Sequence, residues 1–271
     1  MRADPPLSFD PRRRLWLSSW LSSWLAAAAL APLAAPARAD LVQVIAAAKP
    51  SVVAVGTFNA TDNPRFSFRG SGFAVGDGSL VVTNFHVLPG PAEVEALARL
   101  SVLVMRDGSV REARKARLVA SERAHDLALL AIEGPALPAL PLADPAGTRE
   151  GLAIALIGFP IGGALGYSPV THRGIIAAIT GIALPAANAQ QLREKTLSRL
   201  REGGFDILQL DATAYPGNSG GPVLDAETGQ VVGIINMVLV KGTRENALSF
   251  PSGISYAIPA RHVRELLAQP R

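Results

Sequence analysis

The sequence predicts an all-β fold of two antiparallel β-barrels side by side, with a short helix before them and another after. Three observations carry this. Short runs rich in Val, Ile and Leu recur through residues 51–132 and again through 151–259. Turn residues separate them at short intervals, a pattern of sandwiches and barrels rather than of alternating strands and helices. A proline-rich stretch, PALPALPLADPAG at 135–147, divides the two sets. The barrels are therefore expected at 40–140 and 141–271.

Residues 1–39 precede the fold. Arg12, Arg13 and Arg14 lead into the apolar run LWLSSWLSSWLAAAALAPLAA, which ends at Ala37-Arg38-Ala39. A basic start, an apolar middle and a small-residue site describe a secretory leader cut before Asp40. A retained membrane anchor is the rival reading, because the run approaches the length of a short spanning helix; the small-residue site favours cleavage. Arg12-Arg13-Arg14-Leu15-Trp16 also passes as a weak twin-arginine signal, with Sec-type export as the default. The expected product is periplasmic or secreted and has no stable membrane anchor.

LVQVIAAA, at Leu41–Ala48, reads as a helix stopped by Pro50. Strands are expected at 51–58, 71–75, 79–85, 100–105, 109–120 and 126–132, with hairpin signals at Gly76-Asp77-Gly78 and Arg106-Asp107-Gly108. The second half offers strands at 151–159, 174–182, 205–212, 230–240 and 253–259, then a closing helix, ARHVRELLAQ. No internal sequence repeat is evident. One segment departs from the β pattern. Residues 188–204 set Leu192, Leu197 and Leu200 among charges and end in Gly203 and Gly204, as a short amphipathic helix does. It reads equally as a packed surface insertion and as a functional loop.

Composition narrows the function. The whole chain carries +4, but the leader holds five arginines against Asp4 and Asp10, so residues 40–271 are near +1. That balance gives no support to nucleic-acid binding. Arg111, Arg114, Lys115 and Arg117 then read as one solvated strand face. The chain has no cysteine, which excludes thiol chemistry and cysteine-bound metal. No cofactor and no metal are expected.

The chemistry gathers around AYPGNSGGPV, at 214–223. A plain turn seldom needs three glycines around one serine. A serine hydroxyl becomes a nucleophile only beside a general base, which in turn needs an orienting group. Four histidines are available: His86, His125, His172 and His262. His86 ends an apolar strand where a turn begins, at a barrel rim. Asp126 starts an apolar strand, where a carboxylate needs a partner. His125 and Asp126 are neighbours, and neighbours in a strand point to opposite faces. His262 falls on an exposed-looking helix. His172 precedes a strand and has no paired acid.

The stretches GSGF, VVTNFHV, HDLALL, IGFP with GII, and LDATAYPGNSGGPV with GIINM and GISYAIP resemble the HtrA/Deg family of secreted trypsin-like serine proteases. The resemblance runs through residues 41–265 and implies two six-stranded barrels. It implies Ser219 as nucleophile, His86 as base and Asp126 as the group that orients His86. It implies an oxyanion hole formed by the backbone N–H groups of Gly217 and Ser219. A side chain at Gly217 would hinder that inward turn, and Gly220 and Gly221 let the chain pass behind the nucleophile. Asn218 lacks the charge that would pair with a new amino terminus, so cutting the leader is not expected to be an activation switch.

The primary pocket is expected from Thr213, six residues before Ser219, and from IINMV at 234–238, which includes Asn236 and Val238. No acid lies there, so a small or medium aliphatic side chain is expected rather than Lys or Arg. Family members commonly carry PDZ domains after the protease domain, and the chain to Arg271 leaves no room for one. Residues 188–204 occupy the family's regulatory loop position with unusual helical character. Polypeptides are the expected substrates and a homotrimer the assembly to test for. Two alternatives stand beside an exported protease acting on unfolded or damaged proteins: a latent or chaperone-like scaffold on the same fold, and a small-ester hydrolase. The leader also makes its own removal visible. Trp16, Trp20 and Trp24 all precede residue 40. Exported protein should show only tyrosine emission, from Tyr167, Tyr215 and Tyr256; a tryptophan band in its fluorescence spectrum would show the leader retained.

Overall fold

The computed structural model describes residues 40–90, 92–106, 110–162, 166–181, 205–236 and 253–270. Helix α1, Leu41–Ala48, is capped by Asp40, whose side chain accepts from the Val42 N–H. It is followed by β1 (Val52–Phe58), β2 (Phe66–Val75), β3 (Leu80–Asn84), a short helix α2 (Val94–Ala98), β4 (Leu100–Arg106), β5 (Val110–Glu122) and β6 (Leu127–Ile132). The second set is β7 (Ala153–Gly158), β8 (Val170–Gly181), β9 (Asp206–Asp211), β10 (Pro222–Asp225), β11 (Val231–Ile235) and β12 (Ile254–Pro259), closed by α3 (Arg261–Ala268).

Each set forms a closed antiparallel barrel of six strands. The first is ordered β1-β2-β3-β6-β5-β4 and the second β10-β11-β12-β9-β8-β7. Taken from its first strand, the second order is β7-β8-β9-β12-β11-β10, the same topology as the first. The barrels are thus structural repeats, although no sequence repeat is legible. Closure removes the free strand edges that a sheet would otherwise expose.

Alternation along each strand fills two barrel interiors. Val53, Val55, Val81, Leu100, Val102 and Leu130 pack in the first. Leu156, Ile176, Leu208, Leu210 and Val232 pack in the second. A third cluster joins Phe73, Val82 and Leu129 to Ile157, Val231, Ile234 and Ile258, and adds Val44 from α1 and Val263 and Leu266 from α3. The seam between the barrels is therefore apolar core. The proline-rich linker passes between them: Leu140 N–H donates to Ala74 O, and Pro141 O accepts from Val231 N–H.

Several elements differ from the sequence expectation. Strand β10 is hidden inside the glycine-rich run, whose turn residues mask the four-residue strand that follows. β2 begins at Phe66, well before the expected 71, because its first half pairs with β1 alone. His172 lies inside β8, opposite Leu156 of β7, rather than ahead of a strand. His262 is 6% exposed, packed beneath α3 rather than on its outer face. The basic run in β5 is not one solvated face: Lys115 and Arg117 point outward, while Arg114 is buried. Arg114 donates to Pro135 O at 2.6 Å and to Glu112 at 3.3 Å, which compensates the buried charge. The helix expected at 188–204 lies outside the described residues.

Ile157 is fully buried in the seam. Ile157→Ala should destabilise the protein by about 2–5 kcal/mol, read as a lower urea midpoint at unchanged slope; a shift below about 0.5 kcal/mol would mean the seam is not cooperative core.

Candidate active site

Strand β3 ends at Asn84 and the chain tightens into a 3₁₀ turn over Phe85–Val87, which lifts His86 to the rim of the first barrel. Asp126 lies in the turn ahead of β6 and has φ +53°, a left-handed conformation that Asp tolerates better than most residues. The turn is fixed by its backbone. Asp126 N–H donates to Arg123 O, and Asp126 O accepts from the Phe85 N–H at 3.0 Å and the Asn84 side chain at 3.1 Å. The two turns thus lock together before their side chains meet.

The Asp126 carboxylate then engages His86 twice, once at its backbone N–H and once at its ring. The His86 N–H donates to Asp126 Oδ1 at 2.9 Å, and His86 Nδ1 lies 2.6 Å from Asp126 Oδ2. A carboxylate only accepts, so Nδ1 carries the proton and Nε2 of the neutral ring keeps its lone pair. A third donor comes from the other barrel. Asn236, just after β11, donates from Nδ2 to Asp126 Oδ2 at 2.8 Å. The sequence reading puts Asn236 in the substrate pocket; in the fold its amide engages the carboxylate beside His86.

The glycine-rich run approaches from the second barrel. Ser219 is 6% exposed. Its carbonyl accepts from the Ser71 N–H at 2.8 Å. A carbon added at Gly70 would lie 2.7 Å from Val87 and 3.0 Å from the Ser219 carbonyl oxygen, so the His86 turn and the Ser219 loop flank the same glycine. Behind the loop, Gly220 N–H donates to Ile235 O and Ile235 N–H to Gly221 O, both at 2.9 Å. Ile235 precedes Asn236, so one hydrogen-bonded path runs from the Ser219 loop through Asn236 to Asp126 and His86.

Gly217 has φ +103°, and a Cβ there would lie 2.4 Å from Phe159 O. Only glycine fits both the conformation and the space. Its N–H direction follows from its neighbour. Pro216 O accepts from the Ile161 N–H at 2.8 Å. In a trans peptide C=O and N–H point to opposite sides, so the Gly217 N–H turns away from the 159–161 segment. Ser71 Oγ donates to the Gly217 carbonyl at 2.7 Å and accepts from the Phe159 N–H at 3.0 Å. Ile161, the donor to Pro216, holds φ +57°, strained for a β-branched side chain. Sequence reasoning overlooked Ser71; its only trace is the small residue in GSGF, within β2.

The other expected residues are placed as follows. Thr213 is half-buried in the segment between β9 and the glycine run. Val238 lies outside the described residues. Asn218 is fully buried, and its side-chain amide has no hydrogen-bond partner among the described residues. His172 lies 5.6 Å from Tyr215, ring to ring, and burial pushes its pKa down. His125 turns away from Asp126 and stacks on His262. Among the described residues no three His, Asp or Glu gather as metal ligands would.

The model of the trypsin-like peptidase domain matches residues 70–234. Serine protease HTRA1B of Danio rerio is 32% identical over 234 residues, which cover 85% of this chain and 40% of that protein. A probable periplasmic serine endoprotease, DegP-like, of Halomonas elongata is 32% identical over 189 residues, 70% of this chain and 33% of its own length. Among solved structures, the HtrA-type protease AlgW with decapeptide superposes with a TM-score of 0.59 at 25% identity, covering 84% of this chain and 66% of that one. This chain therefore spans less than half the length of these two curated relatives.

Asn236 can be tested through the reactivity of Ser219. Asn236→Ala removes one charged hydrogen bond from Asp126, and labelling of Ser219 by a fluorophosphonate should slow about ten- to a hundredfold. Asn236→Asp should be slower still, because it sets two carboxylates together. An unchanged labelling rate in Asn236→Ala would remove Asn236 from the site.

Proposed function

The chain belongs to the trypsin-like peptidases of the HtrA type, and on that footing we propose that it is an exported serine endopeptidase that hydrolyses peptide bonds of unfolded or damaged proteins. His86 takes the Ser219 hydroxyl proton as Ser219 Oγ attacks the scissile carbonyl. Asp126 holds the ring in the Nδ1–H form and stabilises the imidazolium that results. The N–H groups of Gly217 and Ser219 receive the developing oxyanion; one such donor is typically worth about 10²–10³ in rate. The imidazolium protonates the departing amine, leaving an acyl-enzyme at Ser219. A water then attacks with His86 again as base, and Ser219 is restored.

The observation that carries this reading is the His86–Asp126 pair facing a glycine run whose Pro216 carbonyl is already turned away. That orientation is the one an oxyanion-binding Gly217 needs. An uncharged primary pocket around Thr213 fits substrates with small or medium aliphatic side chains. Export fits the leader at 1–39 and the relatives named periplasmic. No helix among the described residues is long and apolar enough to cross a membrane.

The deciding experiment is digestion of casein by the purified protein beside Ser219→Ala. Cleavage by the first and none by the second is the expected result. Equal cleavage by both would point to a contaminating protease, and none by either would favour a latent or binding scaffold on this fold.

A further inference from the structure

Behind the turn that carries Asp126 lies a second titratable cluster that the proposed chemistry does not use. The rings of His125 and His262 stack with centroids 3.8 Å apart and planes 17° from parallel. Phe205, at the start of β9, packs edge-on against both, at 4.5 Å from His125 and 5.4 Å from His262. Three elements meet here: the turn before β6, the base of β9, and α3.

Two features of the cluster suit neutral rings. Arg261 Nε donates to His262 Nε2 at 3.3 Å, and a guanidinium cannot accept. His262 Nε2 therefore offers a lone pair, and its proton sits on Nδ1, 2.9 Å from Glu265 Oε2. His125 Nδ1 is buried and has no partner among the described residues. An imidazolium carries protons on both nitrogens. Protonating His262 would turn Nε2 into a donor facing a donor. Protonating His125 would leave Nδ1–H buried with no acceptor among the described residues. Protonating both would stack two positive charges at a spacing where like charges repel strongly.

We propose that the His125–His262 stack is an acid-released latch, which seats α3 against the turn carrying Asp126 at neutral pH and lets it go when the rings become charged. The surrounding charges set its range. Burial lowers the His125 pKa below the ordinary histidine value, the like charge of His262 acts the same way, and Arg261 adds the smallest push in that direction. Glu122 of β5 and Glu265 of α3 pull it up by less. Asp206 of β9 pairs with Arg261 at 3.5 Å and so tempers that cation. For a histidine with a depressed folded pKa, the unfolded chain takes up the proton first. The stabilisation is complete above the unfolded value near 6.5 and declines as pH falls from there to the folded value. The latch is independent of the proposed peptidase activity, since it concerns the seating of α3.

The test is made on the purified protein carrying Ser219→Ala, which prevents self-digestion. Histidine ring signals are titrated by NMR and assigned with His125→Phe and His262→Phe. Their expected behaviour is a His125 midpoint below about 6.5 that moves upward in His262→Phe. Amide exchange of residues 261–268, corrected for the intrinsic pH effect, should rise about tenfold between about pH 7.5 and 5.5. That rise should vanish in the double Phe variant, whose rings still stack. A His125 midpoint at or above the ordinary value, or α3 exchange that does not change with pH in the unsubstituted pair, would overturn the latch. The exchange of α3 is read without any histidine substitution, so a variant that fails to fold leaves that arm of the test intact.

Discussion

The geometry of the site depends on one buried serine. Ser71, on β2 of the first barrel, is fully buried. Its N–H donates to the Ser219 carbonyl, its hydroxyl donates to the Gly217 carbonyl and accepts from the Phe159 N–H, and its own carbonyl accepts from Thr83 Oγ1 at 2.7 Å. Each barrel is closed, so neither offers the other a free strand edge over its length. The glycine run would otherwise be a long connection on one barrel only. Ser71 fixes two of its carbonyls, those of Gly217 and Ser219, from the opposite barrel. It does so in a site from which water is excluded, where an unmade hydrogen bond costs about 1–3 kcal/mol. The loop is therefore held by a requirement to satisfy buried polar groups rather than by its own propensity.

That constraint explains where the backbone is strained. Asp126 and Ile161 both hold positive φ, at +53° and +57°. Such conformations cost about 1–3 kcal/mol each and persist where surroundings over-determine them. At Asp126 the compensation is the pair of bonds from Phe85 and Asn84 to its carbonyl, with the three donors to its carboxylate. At Ile161 it is the bond to Pro216. Both strained residues orient a neighbour rather than contact each other: Asp126 sets the His86 tautomer, and Ile161 sets the direction of the Gly217 N–H. The apolar seam of Phe73, Ile157 and Ile234 supplies the rigid support that such strain requires.

Most strands were legible because alternation and turn chemistry are local signals. Six strands of the first barrel and five of the second can be read from runs such as LVVTN and DILQLD. β10 could not, because its four residues follow directly on glycines and a proline that spell a turn. Asp126 and His86 stood out for a different reason: polar residues at the ends of apolar strands need partners. Ser71 and the engagement of Asn236 with Asp126 were not legible, because both arise from contact between barrels and leave no periodic trace. Arg114 shows the same limit. Counting charge suggested a solvated face, but strand alternation sends every second residue of that run inward.

His262 was misplaced by a related inference, and its true position ties the chain's last helix to the site. Helix α3 mixes its apolar residues with charges, so its sequence reads as an exposed-looking closing helix. Val263 and Leu266 nevertheless enter the seam, and Arg264 donates to the carbonyls of Leu142 and Ala143 in the linker. With His262 against His125, the helix touches the linker, the seam and the turn before β6. Residues 125 and 126 of that turn then serve opposite sides, His125 toward α3 and Asp126 toward His86. A turn held from both sides has little freedom to relax on one side alone. The ring that seats α3 and the carboxylate beside His86 are thus one peptide link apart.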